Sequence, residues 1–144
     1  FYTPRLSPDN RWVATCARSG PVSWRLFILP FRADGPAPSE RDWIAITSDN
    51  SVRMACRWSP DGSVLYFTSE RDGSTCIWAH RLDPASKRPA GDPWPVHHAH
   101  SVRLSLAGVG PINFTIALPR GARSPRMVFP MAETTGNIWM AELR

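Results

Sequence analysis

"WSPDGSVLYFTSERDGSTCIWAHRLD", residues 58 to 83, decides the fold, because it reads as turn, strand, turn, strand. Pro60 at the second position of a turn presets φ, the Asp61 carboxylate can accept backbone amides, and Gly62 tolerates positive φ. The chain then enters "VLYFTS", a run of β-branched and aromatic residues. A charged, glycine-bearing loop, "ERDG", separates it from "CIWAHRL", a second run of the same kind.

The unit recurs. "LSPDNRWVATCA" (6–17) lies over "WSPDGSVLYFTS" (58–69) without a gap, fifty-two residues earlier. Downstream of the two turns come "WRLFILPF" (24–31) and "CIWAHRL" (76–82), and near the C-terminus "NIWMAEL" (137–143). Phe27, Trp78 and Trp139 hold one matching place in these runs. Loops rich in proline, glycine and charge follow, each leading to a tryptophan-headed segment, "WIAIT" (43–47) or "WPVHH" (94–98). "SVRMACRW" (51–58) then returns to the next Ser-Pro-Asp. Four short strands in about 50 residues form the antiparallel meander of a propeller blade. Prolines interrupt almost every helical window, so little or no helix is expected. The fold class is therefore all-β: about three four-stranded blades in one partial propeller domain spanning 1–144. The blade-like units cover about 6–50, 51–98 and 112–143, with an insertion at about 99–111. In the third unit either Ser101-Val102-Arg103 or "INFTIAL" (112–118) opens the inner strand; the second keeps the usual distance to the following turn. That turn has worn down to "RSPRMVF" (123–129), without an aspartate.

Composition narrows the function. No run of about 18 apolar residues is present, so no helical membrane span is expected. The net charge is +5, and sixteen of the seventeen basic residues are arginine. No acidic residue falls between Pro93 and Ala132, where Arg103, Arg120, Arg123 and Arg126 occur. Without a recognition motif this charge reads as a solvated surface rather than a nucleic-acid interface. Cys16, Cys56 and Cys76 are odd in number and lack metal-type spacing, so they read as buried apolar residues, with a Cys56–Cys76 bridge left open. The chain opens on Phe1 with no leader pattern, and a piece of something longer is expected.

The pattern W-S-P-D-G-x-x-L-Y-F-T-S-x-x-D-G-x-x-x-I-W resembles the TolB-type, WD-like β-propeller repeat of bacterial proteins, whose relatives form the propellers of prolyl-oligopeptidase-type peptidases. The closing "ETTGNIWMAELR" resembles the last blade of large bacterial propellers. The resemblance implies a non-catalytic module for a protein or peptide partner, an interaction or sensory domain of a larger protein, in a periplasmic or other extracytoplasmic setting. The alternative it implies is an accessory propeller of an oligopeptidase whose catalytic domain lies elsewhere. Three blades do not close a ring, since propellers need about four to eight. Further blades, or self-association of two half-rings into a dimer, would complete it.

No enzyme chemistry is expected within the chain. Gly-x-Ser-x-Gly is absent. Cys76 and His80 share a strand at i and i+4, roughly 13 Å apart, too far for a nucleophile–base pair. Glu70 and Asp72 read as solvated turn carboxylates. No phosphate loop occurs, and no cofactor is expected. His98 and His100 stand two apart, on one face of a strand, a spacing some metal sites use. Asp92 is the nearest carboxylate along the chain and lies before that strand, so a polar blade-edge role is expected instead. A partner-binding face is expected where loops enter the inner strands: Ser48, Asp49, Asn50 and Arg53, with Arg71, Asp72, His98 and His100. Trp12, Trp58, Trp78 and Trp139 are expected between blades, and Trp94, flanked by prolines, at an outer edge.

Overall fold

The computed structural model describes residues 2–18, 20, 24–48, 51–101, 103–106, 114–133 and 135–136. Strands β1 (Tyr2–Leu6), β2 (Trp12–Arg18), β3 (Trp24–Pro30) and β4 (Ile44–Ala45) form an antiparallel sheet in chain order. Strands β5 (Val52–Trp58), β6 (Val64–Ser69), β7 (Cys76–Arg81) and β8 (Trp94–His97) repeat that meander. The next four are shorter: β9 (Leu104–Ser105), β10 (Thr115–Ala117), β11 (Arg126–Val128) and β12 (Ala132–Glu133). β10 pairs with β11 and β9 with β12, so a short strand lies within 99–111. Helical structure among the described residues is one 3-10 turn, Glu40–Asp42. The chain is all-β.

The two Ser-Pro-Asp turns share one hydrogen-bond pattern. Ser7 Oγ donates to Asp9 Oδ1 at 2.5 Å and accepts the Trp12 amide at 2.9 Å. Ser59 Oγ donates to Asp61 Oδ1 at 2.5 Å and accepts the Val64 amide at 2.9 Å. Each aspartate also takes a backbone amide two residues on, from Arg11 or Ser63. Asn10 (φ 57°) and Gly62 (φ 69°) occupy the left-handed position that lets the turn close. In the third unit the reversal moves to Pro119–Ala122, where the Ala122 amide donates to the Pro119 carbonyl and Gly121 takes φ 80°.

Strand alternation sends one face of each sheet into a shared core. Ala14, Cys16, Leu26, Ile28 and Ile46 of the first sheet pack against Val52, Cys56, Trp58, Leu65 and Phe67 of the second. Trp12 and Trp78 lie partly buried against this core, as expected for tryptophans between blades. Trp139 falls outside the described residues. The Trp58 indole donates to the Arg5 carbonyl across the seam at 2.9 Å. The second sheet's other face, through Ile77, meets Ala99, Leu106, Met127 and Phe129. Cys16, Cys56 and Cys76 are all buried and free, so the bridge left open between Cys56 and Cys76 is not formed. Trp94, 38% exposed, lies at the outer edge.

Candidate functional site

The β-meander gives each sheet two ends, and chemistry collects at both. At one end the β6–β7 loop meets the segment that follows β8. A turn closes Glu70–Gly73, with the Gly73 amide donating to the Glu70 carbonyl and Gly73 at φ 88°. Glu70 itself accepts the Thr75 hydroxyl at 2.9 Å, so it is a turn brace rather than a free carboxylate. The turn projects Asp72 toward two histidines. Asp72 Oδ2 lies 3.0 Å from His98 Nδ1 and 2.8 Å from His100 Nε2, and the two ring nitrogens are 3.3 Å apart. Partial burial opposes ionisation of Asp72, yet the hydrogen bond and charge of His100 hold its carboxyl below the ordinary value.

β8 ends at His97, so the histidines are not on a strand, contrary to the reading of their spacing. The cause is visible between them: the Ala99 amide donates to Cys76 Sγ at 3.3 Å instead of to a ladder carbonyl. Cys76 thereby joins the cluster. The four ligand-type atoms of Asp72, Cys76, His98 and His100 all lie within 4.8 Å of one another. Burial raises the Cys76 thiol above its ordinary value, against the Ala99 hydrogen bond. Trp78 stands edge-on to His98, with ring centroids 5.9 Å apart, and carries the Arg71 guanidinium 4.8 Å above its own ring.

Of the expected partner face, the fold therefore gathers Arg71, Asp72, His98 and His100 at one end of the second sheet. Arg53 lies in β5, and Ser48 is exposed. Asp49 and Asn50 lie outside the described residues.

At the opposite end, a cleft of about 440 Å³ opens where β1, β5 and β10 approach one another. Arg5 and Arg57 line it together with Leu6, Trp58, Ile116 and Leu118. Arg5 Nε is buried and has no hydrogen-bond partner among the described residues. Burial, then the neighbouring charge of Arg5, lowers the Arg57 pKa. This pair was not singled out in the sequence, although the repeat carries it. "RLSPD" and "RWSPD" place Arg5 and Arg57 at the same step of their units.

No family model matches the chain, and no curated protein matches it. Among solved structures it is similar to TolB from Acinetobacter baumannii, with a TM-score of 0.54 and 21% sequence identity. The fold is TolB-like. The match covers 92% of this chain and 29% of that one, so the chain spans under a third of the TolB structure. That coverage agrees with sheets built as part of a propeller, and it bears on fold alone. No helix among the described residues is long and apolar enough to cross a membrane.

Proposed function

We propose that the chain is a non-catalytic β-propeller binding module that takes an acidic segment of a protein partner in the Arg5–Arg57 cleft. The observation that supports this reading is a pair of like charges set into one partly apolar cleft. Arg57 donates to the Cys56 carbonyl at 2.7 Å and lies 5.5 Å over the Phe114 ring, yet burial and the like charge of Arg5 still lower its pKa, and an anion in the cleft would oppose both effects. Guanidinium is suited to this work, since its planar fork matches a carboxylate and it is held in the charged form. The walls contributed by Leu6, Trp58, Ile116 and Leu118 suit a peptide with apolar residues beside its acid groups, and they favour protein over a hydrated phosphate backbone.

The test is a fluorescence titration with a labelled peptide alternating glutamate and leucine, run beside a DNA oligonucleotide of equal charge. The peptide should bind more tightly, and Arg5→Gln with Arg57→Gln should weaken it about tenfold or more, each tenfold being about 1.4 kcal/mol. Undiminished binding by the double variant would overturn the assignment of the cleft. Tighter binding of the oligonucleotide would overturn the choice of partner.

A further inference from the structure

The cluster at the other end of the second sheet has a different chemistry. We propose that Asp72, Cys76, His98 and His100 form a binding site for a divalent transition-metal ion of the zinc class. This goes beyond the partner-binding reading and does not depend on it, because the two sites share no residue and sit at opposite ends of the sheet.

Donor identity comes first. One carboxylate oxygen, one sulfur and two imidazole nitrogens make a mixed O, S, N set. Calcium and magnesium prefer oxygen alone, whereas zinc and its neighbours accept this combination. Geometry agrees. Donors about 2.0–2.3 Å from a tetrahedral ion stand roughly 3.3–3.7 Å from one another. Here Asp72 Oδ2, His98 Nδ1 and His100 Nε2 are separated by 2.8, 3.0 and 3.3 Å, and no pair in the full set exceeds 4.8 Å. An ion entering the centre would spread the first three by a few tenths of an ångström and draw in the sulfur. Rotation of exposed side chains suffices for the former, since His98 and His100 are 49% and 47% exposed.

A surface hydrogen bond between a histidine and a carboxylate is common and needs no metal. It explains two rings on Asp72, but it does not explain why a buried thiol converges on the same point. The link is the Ala99 amide, which donates to Cys76 Sγ and belongs to the residue between the two histidines. One backbone bond therefore fixes the sulfur and aims both rings, and an N–H directed at sulfur is the outer support that thiolate ligands receive. On binding, the Cys76 thiol gives its proton to solvent and each imidazole offers a neutral nitrogen lone pair. The ion's positive charge makes the buried thiolate the stable form. Four protein ligands fill a tetrahedron, so the site would be structural. It would clip the β6–β7 loop to the segment after β8.

Untagged protein stripped with chelator should be titrated with Co²⁺ as a spectroscopic stand-in, then with Zn²⁺. One equivalent should produce the intense visible bands of four-coordinate cobalt and a thiolate-to-metal charge-transfer band, both displaced by zinc. Saturating zinc should raise Tm on the order of 5 °C. His98→Gln and His100→Gln, both at exposed positions, should each weaken binding by about tenfold or more, whereas His97→Gln should leave it unchanged. Cys76→Ala should abolish the charge-transfer band. Because Cys76 is fully buried, that variant is informative only beside the histidine variants, which carry the test alone if it misfolds. Absence of stoichiometric binding overturns the proposal, as does binding that survives the His98→Gln, His100→Gln double substitution.

Discussion

At the scale of single residues, the Ser-Pro-Asp turns were the most legible part of the molecule, and they carry a measurable pH dependence. Ser59 and Ser7 hydroxyls, first among several donors, hold the Asp61 and Asp9 carboxyls below the ordinary 3.8. A folded-state pKa below the unfolded one means the ionised carboxylate stabilises the fold fully above 3.8. That contribution is lost as pH falls through the folded value. Both carboxylates are exposed, so the effect is modest. Asp61→Ala should lower stability by roughly 0.5–1 kcal/mol at neutral pH, read from urea unfolding, and the gap to wild type should shrink as pH drops below 3.8. A gap that stays constant through the acid range would contradict this account of the turn. Asp72 was less legible than these turn aspartates. Its partner His100 is twenty-eight positions away, across a hairpin and a loop. The repeat put Asp72 and His100 on one expected face, but their direct contact depends on where β8 stops.

At the scale of elements, the repeat was legible because alternation and turn chemistry are local, and the structure returns the same four-strand order twice. Less legible was how the elements are tied to one another. Lys87, the sole lysine of the chain, lies in a loop rich in proline, glycine and charge. It is only 6% exposed, sits at φ 56°, and its ammonium donates to the Gly62 carbonyl at 3.0 Å. The β7–β8 loop is thereby fastened to the Ser-Pro-Asp turn. Lys87→Met should destabilise the protein by about 1–2 kcal/mol, seen as a lower urea midpoint at unchanged slope. Lys87→Gly forfeits the same bond but relieves the left-handed backbone, and should fall between the two. A methionine variant as stable as wild type would show that the loop holds without its ammonium.

At the scale of the whole molecule, the first sheet has two unequal faces. One is closed by the second sheet. The other bears a groove of about 380 Å³ lined by Pro4, Val13, Thr15, Leu29, Phe31 and Trp43, largely apolar and framed by the edge-on contact of Phe27 with Trp43 at 5.4 Å. A propeller blade covers this face with another blade. For the 144-residue chain alone, the expected outcome is association of two copies, giving a light-scattering mass near twice 16.1 kDa. Phe31→Asp should shift that mass toward one copy, because Phe31 is 40% exposed at the groove and its replacement leaves the shared core intact. A wild-type monomer at high concentration would rule out two copies meeting through this flank.

The indole bond between Trp58 and the Arg5 carbonyl has a mechanical side. It works as a latch with a direction: the second blade reaches back and hooks the first. At the equivalent step of the first blade stands Leu6, 44% exposed, whose side chain has no N–H to offer a carbonyl. A neighbour at that step meets an alkyl chain: it can be gripped by contact, but the Leu6 side chain cannot hook it.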